Sequence, residues 1–153
     1  MEKIEQLGQI LQTEADLVEA IAGVMEKKQQ SIVKFDAGNL NALTQREQDL
    51  LVPFQALEGE RARLAEELSA GLAGERPAGE PPARSMRELL QALDLPPEAT
   101  VVGHAARLHK AVQRVQDLTQ QNRTLMRHSL KFVRETLRLI THDHARPLVD
   151  QRM

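Results

Sequence analysis

The sequence predicts an all-α fold: an elongated antiparallel bundle of three long helices with a short extra helix and a Pro/Gly-rich loop. Three observations carry that reading. Apolar residues recur at alternating spacings of three and four over segments much longer than a strand. Aromatic residues make up only 2% of the chain, with no Trp or Tyr, so Leu, Ile, Val, Met and Ala must fill the core, which suits long helices. Turn residues cluster at only a few places and divide the pattern there. The 153 residues suffice for one moderate core, and 1–153 reads as a single helical domain.

The first helix is expected over about 3–35. Ile4, Leu7, Leu11, Val18, Ile21, Met25, Ile32 and Phe35 form its stripe, interrupted by Glu14 and Lys28, and Ile10, Leu17 and Val24 widen it. A stripe this wide implies contact with more than one neighbouring helix. Asp36, Gly38 and Asn39 supply the turn and capping residues that break it. The pattern resumes at Leu40, Leu43, Leu50, Phe54, Leu57, Leu64 and Leu68, giving a second helix over about 40–72. Two helices of similar length joined by a short turn make an antiparallel hairpin. Pro53 removes a backbone donor inside the second helix and is expected to kink or break it.

Residues 73–84, AGERPAGEPPAR, have no apolar period and read as a mobile loop. Ser85 and Glu88 have the spacing of a capping box, opening a short helix over about 85–94 that covers an end of the bundle. Leu95-Pro96-Pro97 stops it. The last helix is expected over about 99–142, roughly 65 Å long, and outreaches the hairpin by two to three turns. Run antiparallel to the second helix, its overhang lies at its C-terminal end. Pro147 and a polar tail follow.

Charge and chemistry narrow the function. Residues 1–75 hold 7 Lys/Arg against 14 Asp/Glu, and residues 76–153 hold 13 against 8. The simplest consequence is attraction between an acidic first half and a basic second half. A nucleic-acid surface built from the arginines is one alternative, disfavoured because no Gly-rich or aromatic-laced basic patch accompanies them. With no Cys there are no disulfides, thiolate metal sites or thiol nucleophiles. None of the five His follows a Glu by three residues, as di-iron bundles require. His142 and His144 are expected at a helix C-terminus, where their charge suits the dipole. Neither a P-loop nor a dinucleotide fingerprint occurs. The expectation is a non-enzyme with no cofactor and no metal. No signal peptide or membrane span is visible, so the expected location is cytoplasmic.

The segment QNRTLMRHSLKFVRETLRLI, residues 121–140, carries the functional question. Leu125, Phe132 and Leu139 form one row spaced by seven, and Met126, Val133 and Ile140 form another. Between them lie Asn122, Ser129 and Thr136, all polar, although the same row upstream is Leu108 and Val115. In one reading Asn122 sets register in a closed seam, while Ser129 and Thr136 bond back to their own helix. In the other, this part of the face stays bare, small polar residues relieve its stickiness, and an amphipathic partner helix lies along it. On the helical wheel alone the first reading is favoured.

A resemblance tips the balance. Asn122-x-x-Leu125-Met126-x-x-Ser129-Leu130-x-Phe132-Val133, followed by Leu137, Leu139 and Ile140, resembles the C-terminal helix of FlgN-type flagellar export chaperones. Ile32-Val33-Lys34-Phe35-Asp36-Ala37-Gly38-Asn39-Leu40, with Leu43, Glu47, Leu50, Leu51, Leu57 and Arg61, is similar to the family's first turn and second helix. The likeness covers most of the chain apart from 73–100.

The resemblance implies a type III secretion chaperone. Such proteins bind the C-terminal amphipathic helices of flagellar hook–filament junction proteins and deliver them to an export-gate component. It implies a cargo surface formed by Leu118, Asn122, Leu125, Met126, Ser129, Phe132, Val133, Thr136, Leu139 and Ile140, bordered by Arg123, Arg127, Lys131, Arg134 and Arg138. The implied partners are those proteins, with no nucleic acid and no membrane insertion, and the free chain is a monomer or weak oligomer. The tail after Ile140 is short and has no aromatic residue, which leaves gate docking without an evident site. The alternative is a homodimeric coiled-coil structural or adaptor protein that closes the same face against its own copy.

Overall fold

The computed structural model describes residues 2–72 and 85–150, with side chains to 142. The loop expected at 73–84 lies outside the described residues. Four helices and no strand occur among the described residues: α1 (Glu2–Val33), α2 (Ala37–Leu72), α3 (Met86–Ala92) and α4 (Thr100–Asp150).

Helix α1 is the axis of the molecule. Leu7, Leu11, Ala15, Val18, Ile21, Ala22, Val24, Met25 and Ile32 are all buried along it. The two polar interruptions of its stripe are both answered from α2. Arg61 Nε donates to Glu14 Oε1 at 3.1 Å and stands 2.9 Å from Oε2. Lys28 Nζ meets Glu47 Oε2 at 2.7 Å. With Lys3–Glu67 at 3.6 Å, these pairs match rising positions in α1 to falling positions in α2, so the two helices run in opposite directions.

On its other flank α1 meets α4 in the same direction. A Cβ added at Gly8 would touch Val101 at 3.7 Å. Farther along, Arg107 bridges Asp16 and Glu19, Arg114 pairs with Glu26, and Gln29 bonds Gln121. Acidic α1 thus holds basic α4, which is the attraction implied by the charge split. Small residues Gly8, Ala15 and Ala22 are buried along α1 at seven-residue spacing. The stripe of large apolar residues in the sequence did not reveal them.

The molecule departs from a closed three-helix bundle. Nowhere among the described residues does a Cα of α2 come within 8 Å of one in α4. Both pack on α1, while α3 bridges them at one end with Leu89 and Leu90 buried. Covered on one side only, α2 has a single buried residue, Leu64. Ser85 caps α3 as its spacing implied, its hydroxyl accepting from the Glu88 N–H at 3.2 Å.

Three local expectations are corrected. Helix α2 is not broken at Pro53, although the proline takes one donor from its ladder. Helix α4 continues past His142 and Pro147 to Asp150, so His142 does not sit at a helix end. Helix α1 stops at Val33, and Phe35, expected in its apolar stripe, stands in the turn with a left-handed φ of 56°. The Phe35 N–H donates to Ile32 O at 3.1 Å and the Asp36 N–H to Ser31 O at 2.9 Å, a Schellman closure whose left-handed position is usually Gly. A side chain there costs about 1–2 kcal/mol. Asp36 then caps α2 by accepting from the Asn39 N–H at 3.1 Å, and Asn39 Nδ2 ties back to Ser31 Oγ at 2.7 Å.

Candidate functional site

The segment singled out in α4 divides at the end of the hairpin. Leu118 is buried with Ile21, Ala22 and Met25. One turn on, Asn122 is 8% exposed and its Nδ2 donates to Met25 O at 3.2 Å. Its Oδ1 is buried with no hydrogen-bond partner. Asn122 therefore fits the register reading, and neither it nor Leu118 faces outward. Leu125 and Ser129 are half-buried. Met126, Phe132, Val133, Thr136, Leu139 and Ile140 are exposed. Thr136 Oγ1 donates back to Phe132 O at 2.9 Å, which satisfies its hydroxyl within its own helix.

Leu130 and Leu137, quoted in the family pattern but not counted as site residues, are equally exposed. They lie beyond Met126 and Val133 on the wheel and widen the apolar arc to about half of the helix circumference. Leu139 is 66% exposed and Phe132 59%. A run of large apolar side chains this bare is the candidate for an interaction surface. Its lengthwise limit is set by α1, which ends at Val33, while α4 continues beyond Phe132 for roughly five turns.

Two further features frame this surface. Phe35, at the α1–α2 turn, places its ring 5.8 Å from that of Phe132, and it is itself 56% exposed. Arg123, Arg127, Lys131, Arg134 and Arg138 lie outside the apolar arc, the first and fourth nearest the Leu130–Leu137 edge. None of them is within 4.0 Å of a carboxylate among the described residues, unlike Arg107 and Arg114 upstream.

A second apolar feature lies in the other half of the molecule. The gap between α2 and α4, floored by Leu11, Val18 and Ile21 of α1, is an open cleft of about 1000 Å³. Phe54 and Leu51 line it from α2, Val102, Leu108 and Val112 from α4, and Met86 and Leu90 from α3.

Titratable groups are arranged for structure. Burial pushes the Glu14 carboxyl above its ordinary value, opposed by the Arg61 charge and hydrogen bond. The Arg107 hydrogen bond holds Glu19 below the ordinary carboxylate value. Among the described residues no three His, Asp or Glu side chains gather as a metal site would require. Among the same residues no helix is long and apolar enough to cross a membrane.

Helices that leave one long amphipathic face uncovered define a class of protein that works by binding another chain. The FlgN protein family model matches residues 1–149, and the chain belongs to that family, whose role is that of a flagellar export chaperone. No curated protein and no solved structure matches the chain.

Proposed function

We propose that this chain is a cytoplasmic chaperone of flagellar type III secretion. It holds the C-terminal amphipathic helices of hook–filament junction proteins on the exposed face of α4 and hands them to the export gate. The observation that carries this reading is the bare apolar arc from Met126 to Ile140, which continues past the end of the helix that covers the same side upstream. Leu125, Phe132 and Leu139 form one wall, Met126, Val133 and Ile140 the other, with Leu130 and Leu137 at its edge. Ser129 and Thr136 form the polar floor. Leu118 and Asn122 anchor the helix beneath α1 rather than touch cargo.

The energetics suit a holding role. Covering the arc removes apolar area from water at about 25 cal/mol per Å², offset by ordering the cargo helix. The basic flank steers an acidic partner toward it. No bond is made or broken, so the role calls for no catalytic residue, cofactor or nucleotide. The free chain acts as a monomer or weak oligomer.

Calorimetry against C-terminal peptides of the hook–filament junction proteins from the same organism tests the proposal. Binding near one to one, a negative heat-capacity change and loss of binding in Phe132→Asp/Leu139→Asp are the expected results. A folded protein that binds neither peptide overturns it.

A further inference from the structure

Phe35 stands where the backbone favours glycine. Of the described non-glycine residues, only it and Asp94 have φ in the left-handed region, and a short polar side chain such as that of Asp tolerates this conformation. A strained position held by a bulky apolar residue calls for a compensating contact. That contact is not the core, because more than half of Phe35 is exposed and its ring partner Phe132 is no less exposed. The pair is surface, and it sits at the corner where the hairpin ends and α4 goes on alone.

The corner has a direction. Upstream, α4 turns Leu118 and Asn122 toward α1. The bare arc continues that same side one and more turns later. A helix laid on it would therefore run on the line of α1, with its end against the α1–α2 turn.

We propose that Phe35 is the end-stop of the cargo surface. It packs against the terminal turn of an amphipathic partner helix whose acidic flank faces Arg123 and Arg134. The inference rests on the reading of α4 given above. Charge selects this occupant over an antiparallel second copy of the chain, and α1, which covers the same side upstream, blocks a parallel one. In a two-fold antiparallel pairing of the α4 faces each flank meets its own equivalent, which would bring the arginine flank against itself. Shape selects it over a lipid surface, because the hairpin end rises on the same side as the arc and holds a flat surface away from it.

The test uses the full chain, Phe35→Gly and Phe35→Asn. Each is titrated with the C-terminal peptides of the junction proteins and with a designed helical peptide bearing Leu on one face and Glu along one flank. Both substitutions suit the left-handed backbone, so melting temperatures equal to or above that of the wild type are expected. Affinity is expected to fall about tenfold or more. Unchanged affinity in both variants, where the wild type binds, removes Phe35 from the surface and leaves the chaperone reading intact. Binding of the designed peptide alone refutes the choice of cargo, and Phe35 is then judged on that peptide. If the wild type binds neither peptide, both proposals fall. A lower melting temperature in both variants makes the Phe35–Phe132 contact a structural one and overturns the inference.

Discussion

The side-chain amide of Asn122 donates to the backbone carbonyl of Met25 at 3.2 Å, tying α4 to α1 at the last buried residue of α4 among those described. Past half-buried Leu125 and Ser129 the helix loses its cover. The bond has a counterweight, since Asn122 Oδ1 is buried without a partner. Asn122→Ala removes the donor and leaves a small gap, at an expected cost of about 1 kcal/mol. Asn122→Leu removes the unpartnered oxygen and fills the space, so its stability is expected to equal or exceed that of the wild type while the register loosens. Urea unfolding of the three proteins decides it. A Leu variant clearly less stable than the wild type, and no better than the Ala variant, would overturn the expectation that filling the space compensates for the lost amide.

Glu14 and Arg61 form the other polar contact inside the apolar stripe. With Glu14 fully buried, Arg61→Ala leaves a charge without its partner and is expected to cost about 3 kcal/mol at pH 7. Because burial raises the Glu14 pKa above its ordinary value of 4.5, ionisation is harder in the folded chain. The resulting penalty is full above the folded pKa and disappears as pH falls below the unfolded value. Measured against Glu14→Gln, which never charges, the wild type should gain stability as pH drops from 7 toward 4.5. Glu19 works in the opposite sense: its lowered pKa adds stability that is lost on acidification through the folded value. The comparison with Gln isolates Glu14. A difference that moves toward the Gln variant at low pH would mean that the Arg61 charge outweighs burial.

Arg107 reaches Asp16 and Glu19 at 2.6 Å each, yet all three side chains are exposed. Arg107→Ala should lower the melting temperature modestly at low ionic strength. The gap should close as salt is raised, because the screening length falls to about 3 Å at 1 M. A gap that persists at high salt would show that the arginine stem matters through packing rather than charge.

The long helices were legible because apolar spacing reports directly on a buried face. Ile4 through Ile32 and Leu40 through Leu68 needed no partner information. The capping role of Ser85 was legible for a similar reason, since the cap and the N–H it accepts lie three residues apart. What stayed hidden depends on residues distant in sequence. Glu14 and Lys28 read as interruptions until Arg61 and Glu47 stood opposite them. Gly8, Ala15 and Ala22 are too small to register as a stripe, yet they lie along the buried side of α1. Phe35 read as the last residue of the helical stripe, because its spacing does not show that the chain turns left-handed there. The candidate surface was read as one continuous wheel face. Where α1 ends along it, past half-buried Leu125 and Ser129 and beside Phe132, is a tertiary fact that no periodicity contains.

That boundary makes the last prediction. Leu118 and Leu139 occupy the same apolar side of one helix, but the first is 6% exposed and the second 66%. Leu118→Ala should destabilise by about 2–5 kcal/mol through the cavity it leaves beside Ile21, Ala22 and Met25. Leu137→Asp and Leu139→Asp remove nothing buried, so their unfolding free energies should stay within about 0.5 kcal/mol of wild type. Their cargo affinity should collapse, because a carboxylate would be desolvated beneath an apolar helix face. Chemical denaturation and peptide titration of the same preparations separate the two effects. Loss of stability in the Asp variants would mean that the arc is covered in the free protein, by a second copy or otherwise, and the open cargo surface would have to be abandoned. Unaltered stability with lost binding would place the working edge of the molecule past Ser129, where the α1–α2 turn sets Phe35 beside Phe132 and the partner begins.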